Sequence, residues 1–146
     1  MTTNNINVAR LTEIEKIPFA ENSSYQPILN GAAAGLPIFT GIQTAQPGYQ
    51  TKAHQHPYVE VLHILEGIAE AWLVGKEDEK VRLMPGDTIT LPANQSHIFR
   101  ATGKQTLRLL GTHLSPQRIV NFDDGKQSVM GNSDDQSAIP VVKSHG

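Results

Sequence analysis

The most constraining feature of this sequence is a regular succession of short β-type segments between residues 36 and 114. Runs rich in Val, Ile, Leu, Thr and aromatic residues alternate with Gly- and Pro-containing turn signals, about one every 8–12 residues. About eight short strands without a long helix are typical of a sandwich, barrel or jelly roll, so we predict an all-β fold. The predicted strands are 38–44, 50–54, 59–65, 69–74, 80–83, 88–91, 96–101 and 105–113.

The rest of the chain is divided around this region, and its 146 residues suit a single domain. We predict an N-terminal arm over 1–35 that packs on or near the barrel, the barrel itself over 36–116, and a polar C-terminal tail over 117–146. Within the arm, residues 11–17 are mildly amphipathic, as in a helix or a short strand, and residues 31–35 are interpreted as a linker of small residues. From Asn121 the tail is expected to pack loosely or to be disordered, with 139–142 as a candidate edge strand.

Charge and composition exclude several function classes. The chain has 12 Lys+Arg against 14 Asp+Glu, a net charge of −2, and no cysteine. It therefore lacks the basic footprint of a nucleic-acid or membrane-surface protein, and it has no thiolate or disulfide chemistry. The longest uncharged stretch, 22–51, is interrupted by prolines and polar residues, so it is not a membrane span. We expect a soluble, cytoplasmic protein that binds neither nucleic acid nor membranes.

Two histidines separated by one residue on a predicted strand suggest a metal site, because side chains at alternate positions of a strand point to the same face. His54 and His56 lie on one face of a predicted strand, with attachment points about 6.6 Å apart, and Glu60 has the same parity. Imidazole plus carboxylate is a ligand set for Fe, Mn, Ni, Co or Zn. An isolated H-x-H is as often a polar patch on an exposed strand face, so the surrounding residues decide between the two interpretations.

Those surroundings resemble the first motif of the cupin superfamily, G-x5-H-x-H-x3,4-E-x6-G. All five fixed positions match: Gly48, His54, His56, Glu60 and Gly67. The second motif, G-x5-P-x-G-x2-H-x3-N, is matched at Gly86, Pro92 and His97.

Two positions depart from the second motif. Asn94 stands where the family usually has Gly, and Ala101 where it has Asn. Asn tolerates positive φ better than other non-glycine residues, so Asn94 is expected to hold the turn before His97.

The resemblance implies a double-stranded β-helix, or jelly-roll barrel, that encloses one divalent transition metal ion. The metal ligands that it implies are His54, His56, Glu60 and His97. Four protein ligands leave about two positions of an octahedral shell for a small molecule or dioxygen. Small cupins of this type are commonly dimers, so we expect a homodimer. Trp72 and Val74 are predicted to point outward, onto a sheet face covered by the N-terminal arm or another subunit.

Parity also assigns the side chains around the site. Leu62 and Ile64 share the parity of Glu60, and Phe99 that of His97, so all three should face inward. Tyr58, between His56 and Glu60, could offer a phenol near the ion. Tyr58 and Phe99 are therefore the candidate pocket residues.

The remaining histidines are given structural interpretations. His63 has the opposite parity to Glu60 and should lie on the outer face or at a subunit contact. His113 is either a rim residue of the pocket or a surface residue, the latter being favoured, and His145 lies in the tail. Arg100 should point outward, whereas parity does not place Arg108.

These features favour a metal-dependent enzyme acting on a small organic molecule: a dioxygenase, or a metal-assisted lyase, isomerase or decarboxylase. The alternative is a non-catalytic cupin that binds or senses a small ligand. A metal-free, epimerase-like cupin is disfavoured because the whole ligand set is present. A transcription factor is disfavoured because no helix-turn-helix pattern flanks the barrel.

Overall fold

The computed structural model describes residues 5–131, which form a jelly-roll β-sandwich of two six-stranded antiparallel sheets. The strands run in the order β1-β2-β3-β10-β5-β8 in one sheet and β12-β11-β4-β9-β6-β7 in the other. The predicted all-β, jelly-roll fold is confirmed. The strands are β1 Ile17–Ala20, β2 Ser23–Leu29, β3 Phe39–Ala45, β4 His54–Gln55, β5 Glu60–Glu66, β6 Ile68–Leu73, β7 Val81–Leu83, β8 Thr88–Leu91, β9 His97–Thr102, β10 Leu107–His113, β11 Arg118–Phe122 and β12 Gln127–Met130.

The core lies between the two sheets and is built by strict alternation. Along β10 every second residue from Leu107 to His113 is buried, and β3 and β9 show the same period of two. This is the pattern of strands that bury one face and expose the other. The apolar core comprises Ala45, Leu62, Ile64, Ala69, Ala71, Leu83, Leu91, Phe99, Ala101, Leu107 and Leu109.

One predicted strand is shorter than expected. The segment 50–54 contributes only its last residue to β4, and Gln50 forms an isolated bridge to Arg100. At Thr51 a backbone and a side-chain hydrogen bond take the place of regular strand pairing. Its backbone N–H donates to Phe99 O at 3.0 Å, and its Oγ1 accepts from Phe99 N at 3.0 Å. The remaining predicted strands agree with the observed ones to within a few residues at their ends.

Four strands were not predicted, and they extend both sheets. β1 and β2 form a hairpin whose second strand pairs with β3, and β11 lies between β4 and β12. The β2 segment contains Pro27 and few branched apolar residues, so its pattern is weak. The expected loose packing from Asn121 onward is wrong for the described part, since 118–122 and 127–130 are strands. The candidate strand 139–142 and His145 lie outside the described residues.

The linker expected over 31–35 is a one-turn helix, α1 (Gly31–Ala34). The Asn30 side chain accepts a hydrogen bond from Ala33 N at 3.3 Å, and Gly35 ends the turn with φ of 71°. An Asn N-cap and a left-handed Gly are the usual signals of such a helix. In the other amphipathic stretch, Leu11–Glu13 forms a single 3-10 turn. Within residues 5–131 there is no helix with the length and apolar character needed to cross a membrane.

Trp72 is covered by side chains of its own chain. It is 7% exposed, with Lys80 Nζ 4.7 Å and Arg100 Cζ 5.7 Å from its ring centroid. The strands of the predicted N-terminal arm, β1 and β2, belong to the other sheet. Trp72 therefore needs no partner subunit to be buried, and the homodimer stays a prediction.

The alternation makes a direct prediction about stability. Ile64 is 1% exposed in the core, whereas Leu65, the next residue, is 37% exposed. We expect Ile64→Ala to lower the free energy of unfolding by about 2–5 kcal/mol, and Leu65→Ala by about 1 kcal/mol or less. Urea denaturation of both variants checks this, and equal losses would contradict the assigned strand parity.

Candidate functional site

Three histidines from two separate segments of the chain meet in the structure. His54 in β4 is the register partner of His97 in β9, and His56 follows directly after β4. Their rings lie 4.4–5.2 Å apart between centroids. Each ring can present a nitrogen within 4.8 Å of the others, and all three are buried. The structure therefore brings together the three histidines that the motifs suggested.

Glu60, at the start of β5, joins this cluster from the opposite sheet. Its Oε1 lies 3.0 Å from His56 Nε2 and 3.7 Å from His97 Nε2. Glu60 is 7% exposed, so its carboxylate is buried beside the imidazoles. All four predicted ligand residues thus converge on one small volume.

Asn94 shapes the approach of β9 to this volume. Its φ is 60°, the one positive value among the non-glycine residues that the structure describes. Its backbone N–H donates to His56 O at 2.7 Å. The expectation that Asn94 tolerates the turn in place of glycine is confirmed.

Backbone carbonyls fix the tautomer of all three rings. In each ring Nδ1 lies close to a carbonyl oxygen, to which it donates. A neutral imidazole carries a single N–H, so each Nε2 is left with a free lone pair directed into the cluster. The contacts are His54 to Lys52 O at 2.6 Å, His56 to Ile119 O at 2.7 Å, and His97 to Gln95 O at 3.2 Å.

The contact between His56 and Glu60 shows that this cluster fits a cation. With Nδ1 of His56 donating to Ile119 O, its Nε2 and Glu60 Oε1 would face each other at 3.0 Å as two acceptors. Such a contact needs positive charge, either from a proton or from a metal ion. Three imidazole nitrogens and one carboxylate oxygen suit a divalent transition metal.

His113 is a member of the cluster that sequence reasoning missed. It is 2% exposed, and its Nε2 lies 3.2 Å from Glu60 Oε2, so the favoured surface assignment is wrong. The missed signal was parity, because Leu107 and Leu109 on the same strand already mark the inward face. His113 contacts the carboxylate oxygen that is turned away from His56.

Tyr58 lies behind Glu60 and orients His113. Its hydroxyl is 2.6 Å from His113 Nδ1 and accepts the Ile119 N–H at 2.9 Å. The hydroxyl also lies 3.1 Å from Ile119 O, but we assign its single proton to the shorter contact with Nδ1. The one N–H of neutral His113 is then on Nε2, where it donates to the carboxylate. The predicted pocket residue Tyr58 thus contacts His113 and also stacks on the His56 ring at 5.2 Å between centroids, but it is not among the residues that line the cavity.

The protonation states suit metal binding at neutral pH. Burial lowers the pKa of His54 to about 4 and that of His113 to about 3, and it also lowers the pKa of His97. Burial alone would raise the pKa of Glu60, but its contacts with His113, His56 and His97 outweigh it and hold that pKa well below its usual value. At neutral pH the site therefore combines neutral imidazoles at His54, His97 and His113 with an ionised Glu60 carboxylate.

These shifts predict that the metal-free protein is destabilised by acid. Imidazoles take up protons near pH 6.5 in the unfolded chain, but only near pH 4 and pH 3 at His54 and His113 in the folded chain. Between these values the unfolded state binds more protons, so stability falls as pH falls, and the low pKa of Glu60 acts in the same direction.

From about pH 7.5 to about pH 5 we expect each of these two histidines to cost about 2 kcal/mol of unfolding free energy. Urea denaturation of chelator-treated protein at both pH values measures this loss. Equal or greater stability at the lower pH would contradict it.

The four-residue cluster forms part of the wall of a cavity of about 420 Å³. Apolar walls come from several strands, and Phe99 faces the cavity as predicted. Two cations, Lys52 and Arg118, also line it. The lining residues are Pro18, Phe19, Ala20, Gln43, Tyr49, Gln50, Thr51, Lys52, His54, His56, Glu60, Leu62, His97, Phe99, Arg118, Val120, Phe122 and Ser128.

The other polar residues singled out from the sequence face away from the cavity. His63 Nδ1 lies 2.6 Å from Thr88 Oγ1 on the outer face, as its parity predicted. Arg100 pairs with Glu70, in keeping with its predicted outward direction. Arg108, which parity did not place, pairs with Glu66 at 3.3 Å.

Comparison with known proteins agrees with this architecture. A family model described as "Cupin domain" matches residues 41–113, half of the chain. The chain is 33% identical over 135 residues to a 5-nitrosalicylic acid 1,2-dioxygenase from Bradyrhizobium sp, covering 83% of this chain and 64% of that protein. It is 33% identical over 90 residues to Protein SchB from Streptomyces halstedii, covering 62% and 61%. The chain thus spans less than two thirds of the length of each relative.

A solved structure matches almost the whole chain. The polyketide cyclase RemF from Streptomyces resistomycificus superposes with a TM-score of 0.66, covering 97% of this chain and 94% of its own. At 16% identity, this similarity describes the fold alone.

Proposed function

The chain belongs to the cupin domain family, and from this premise we propose that it is a metal-dependent enzyme acting on a small organic molecule. The proposed metal ligands are His54, His56, Glu60 and His97. The observation that carries the proposal is that the three Nε2 lone pairs and one carboxylate converge beside a cavity of about 420 Å³. This volume lies within the range of about 300–1,000 Å³ usual for small-molecule sites.

The ligand atoms limit the identity of the metal to a group of transition metal ions without selecting one of them. Three nitrogens and one oxygen, with no cysteine in the chain, suit Fe, Mn, Ni, Co or Zn. A bound ion would supply Lewis acidity and, in the case of Fe(II), the electrons and open positions that dioxygen chemistry requires.

We propose dioxygenase chemistry as the first reaction class to test. The support is the name of the Bradyrhizobium relative, which is 33% identical over 83% of this chain, together with a ligand set that suits Fe(II). Metal-assisted lyase, isomerase or decarboxylase chemistry is the alternative that the same experiment detects.

The protein's own residues have three proposed roles. The carbonyls that accept from the histidine Nδ1–H groups hold the rings, and the His113 N–H holds Glu60 from behind. Phe99, Val120 and Leu62 line the cavity with apolar surface, which would reduce water around a bound substrate. Those residues also favour a compact, largely apolar molecule over a polymer.

The test begins with metal content. Chelator-treated protein is reconstituted separately with Fe(II), Mn, Ni, Co and Zn, and elemental analysis should find about one ion per chain. The Fe(II) form is then assayed for oxygen uptake with phenols, diketones and keto acids, and all forms for substrate loss without oxygen. The chelator-treated protein is the control.

The outcomes separate the alternatives. Oxygen-dependent turnover supports the dioxygenase, and oxygen-independent turnover supports the lyase or isomerase class. If no form turns over a substrate while one compound raises the melting temperature, the protein is a binding or sensing cupin instead. A failure of every metal to bind in stoichiometric amount would overturn the proposed metal centre.

A further inference from the structure

Arg118 is an unusual cation because it lines the same cavity as the four-residue cluster. Its Cζ lies 4.7 Å from the centroid of the Phe19 ring and 4.9 Å from that of Tyr25. These two rings stack on each other at 4.7 Å between centroids. Arg118 is therefore held against an aromatic platform, an arrangement that suits the planar guanidinium.

Arg118 has no carboxylate partner among the residues that the structure describes. The arginines of the neighbouring outer surface are paired, Arg100 with Glu70 and Arg108 with Glu66. Arg118 Nε is buried and makes no hydrogen bond within residues 5–131; the same holds for Arg100 Nε, but the Arg100 guanidinium has Glu70 as a partner for another of its nitrogens. The Tyr25 hydroxyl beside it is also buried and without a partner in that range. Buried polar groups of this kind are usually satisfied, so a ligand is a natural source of the missing acceptor.

The charge of the cavity favours an anion. Besides the histidines, its acidic and basic lining residues are Lys52, Glu60 and Arg118. Glu60 is already engaged by His56 on one oxygen and His113 on the other. Two cations therefore face the cavity with no free carboxylate among its described lining residues, and a bound divalent ion would add further positive charge.

We propose that Arg118 is the carboxylate-binding residue of this cavity, and that the small organic molecule it accepts is an aromatic carboxylate. Guanidinium and carboxylate match in shape and charge, and they form paired hydrogen bonds. The aromatic part follows from the ring-rich lining, which includes Phe19, Tyr49, Phe99 and Phe122. This inference deepens the proposed function, since it assigns a substrate class to the same cavity.

The test compares benzoate with its neutral analogue benzamide by calorimetric titration of the metal-reconstituted protein. Wild-type protein should bind benzoate about 10- to 100-fold more tightly than benzamide. Arg118→Met should remove this preference, and Arg118→Lys should keep part of it. Arg108→Met, the same substitution on the outer surface, should leave the preference unchanged.

This experiment tests the anion site and the metal centre separately, because the metal content of each sample is measured alongside its benzoate binding. The comparison of benzoate with benzamide on wild-type protein also remains valid if a variant does not fold. Benzoate preference in protein that binds no metal would keep the anion site and overturn the metal centre. Three results obtained with stoichiometric metal would each overturn the anion site. They are equal binding of benzoate and benzamide, no saturable binding of benzoate, and an unchanged benzoate preference in folded Arg118→Met.

Discussion

Replacing His56 by alanine is expected to remove stoichiometric metal binding, whereas His63→Ala leaves it intact. His56 directs its Nε2 into the cluster at 3.0 Å from Glu60, while His63 contacts Thr88 on the outer face. Loss of a direct ligand should weaken affinity by more than the factor of about 10–100 typical of losing an outer-shell partner. The two variants carry the same substitution on histidines of opposite parity.

Affinity is measured by competition with a chromogenic chelator, using Zn and Co so that oxidation does not interfere. Circular dichroism and thermal melting accompany each titration, because a variant that does not fold also loses its metal. Folded His56→Ala that binds one ion with wild-type affinity would refute the ligand assignment. An equal loss in His63→Ala would refute the parity that distinguishes the two residues.

The second large effect is expected at His113, whose Nε2 contacts Glu60 Oε2 and not the Oε1 that faces His56 and His97. His113→Leu removes the contact of Glu60 Oε2 with the imidazole and one of the hydrogen bonds of the Tyr58 hydroxyl. We expect metal affinity to fall by about 10- to 100-fold, because outer-shell partners orient ligands and set their basicity. In His113→Gln the side-chain amide can still donate to the carboxylate, so part of the affinity should return.

His63→Leu is the matched control. His63 pairs with Leu110 in the same β5–β10 ladder that contains His113, but its side chain faces outward. The same chelator competition gives the affinities, and Tyr58→Phe should fall between His113→Leu and wild type. Wild-type affinity in folded His113→Leu would show that the buried contact with Glu60 does not support metal binding.

The alternation of inward and outward side chains along each strand explains what could be predicted about the fold. It correctly assigned Leu62, Ile64 and Phe99 to the inside and His63 to the outside. It failed where the pattern is weak: β2 contains a proline, and β11 and β12 lie in a polar region where half-buried residues dominate. The backbone groups of these strands are satisfied by pairing of β2 with β3, of β11 with β4 and of β12 with β11, a requirement that local composition does not reveal.

For the site as well, features that depend on residues close in sequence could be predicted, and features that depend on strand pairing could not. The spacing from His54 to Glu60 is local and was sufficient to suggest imidazole and carboxylate ligands. The approach of His97 depends on the β4–β9 pairing, so only the motif resemblance suggested it. The surface assignment of His113 rests on its place at the end of a predicted strand and overlooks the parity of Leu107 and Leu109, which already points it inward. Local parity does not identify its partners, since Glu60 and Tyr58 become its neighbours only when β10 pairs with β5.

Anomalous diffraction at the iron absorption edge, from crystals of the Fe(II)-reconstituted protein, tests the central claim most directly. We expect one strong peak per chain inside the cavity, within bonding distance of Nε2 of His54, His56 and His97 and of the Glu60 carboxylate, about 2.0–2.2 Å. A cavity without a peak, or a peak only at carboxylates on the protein surface, would contradict the account.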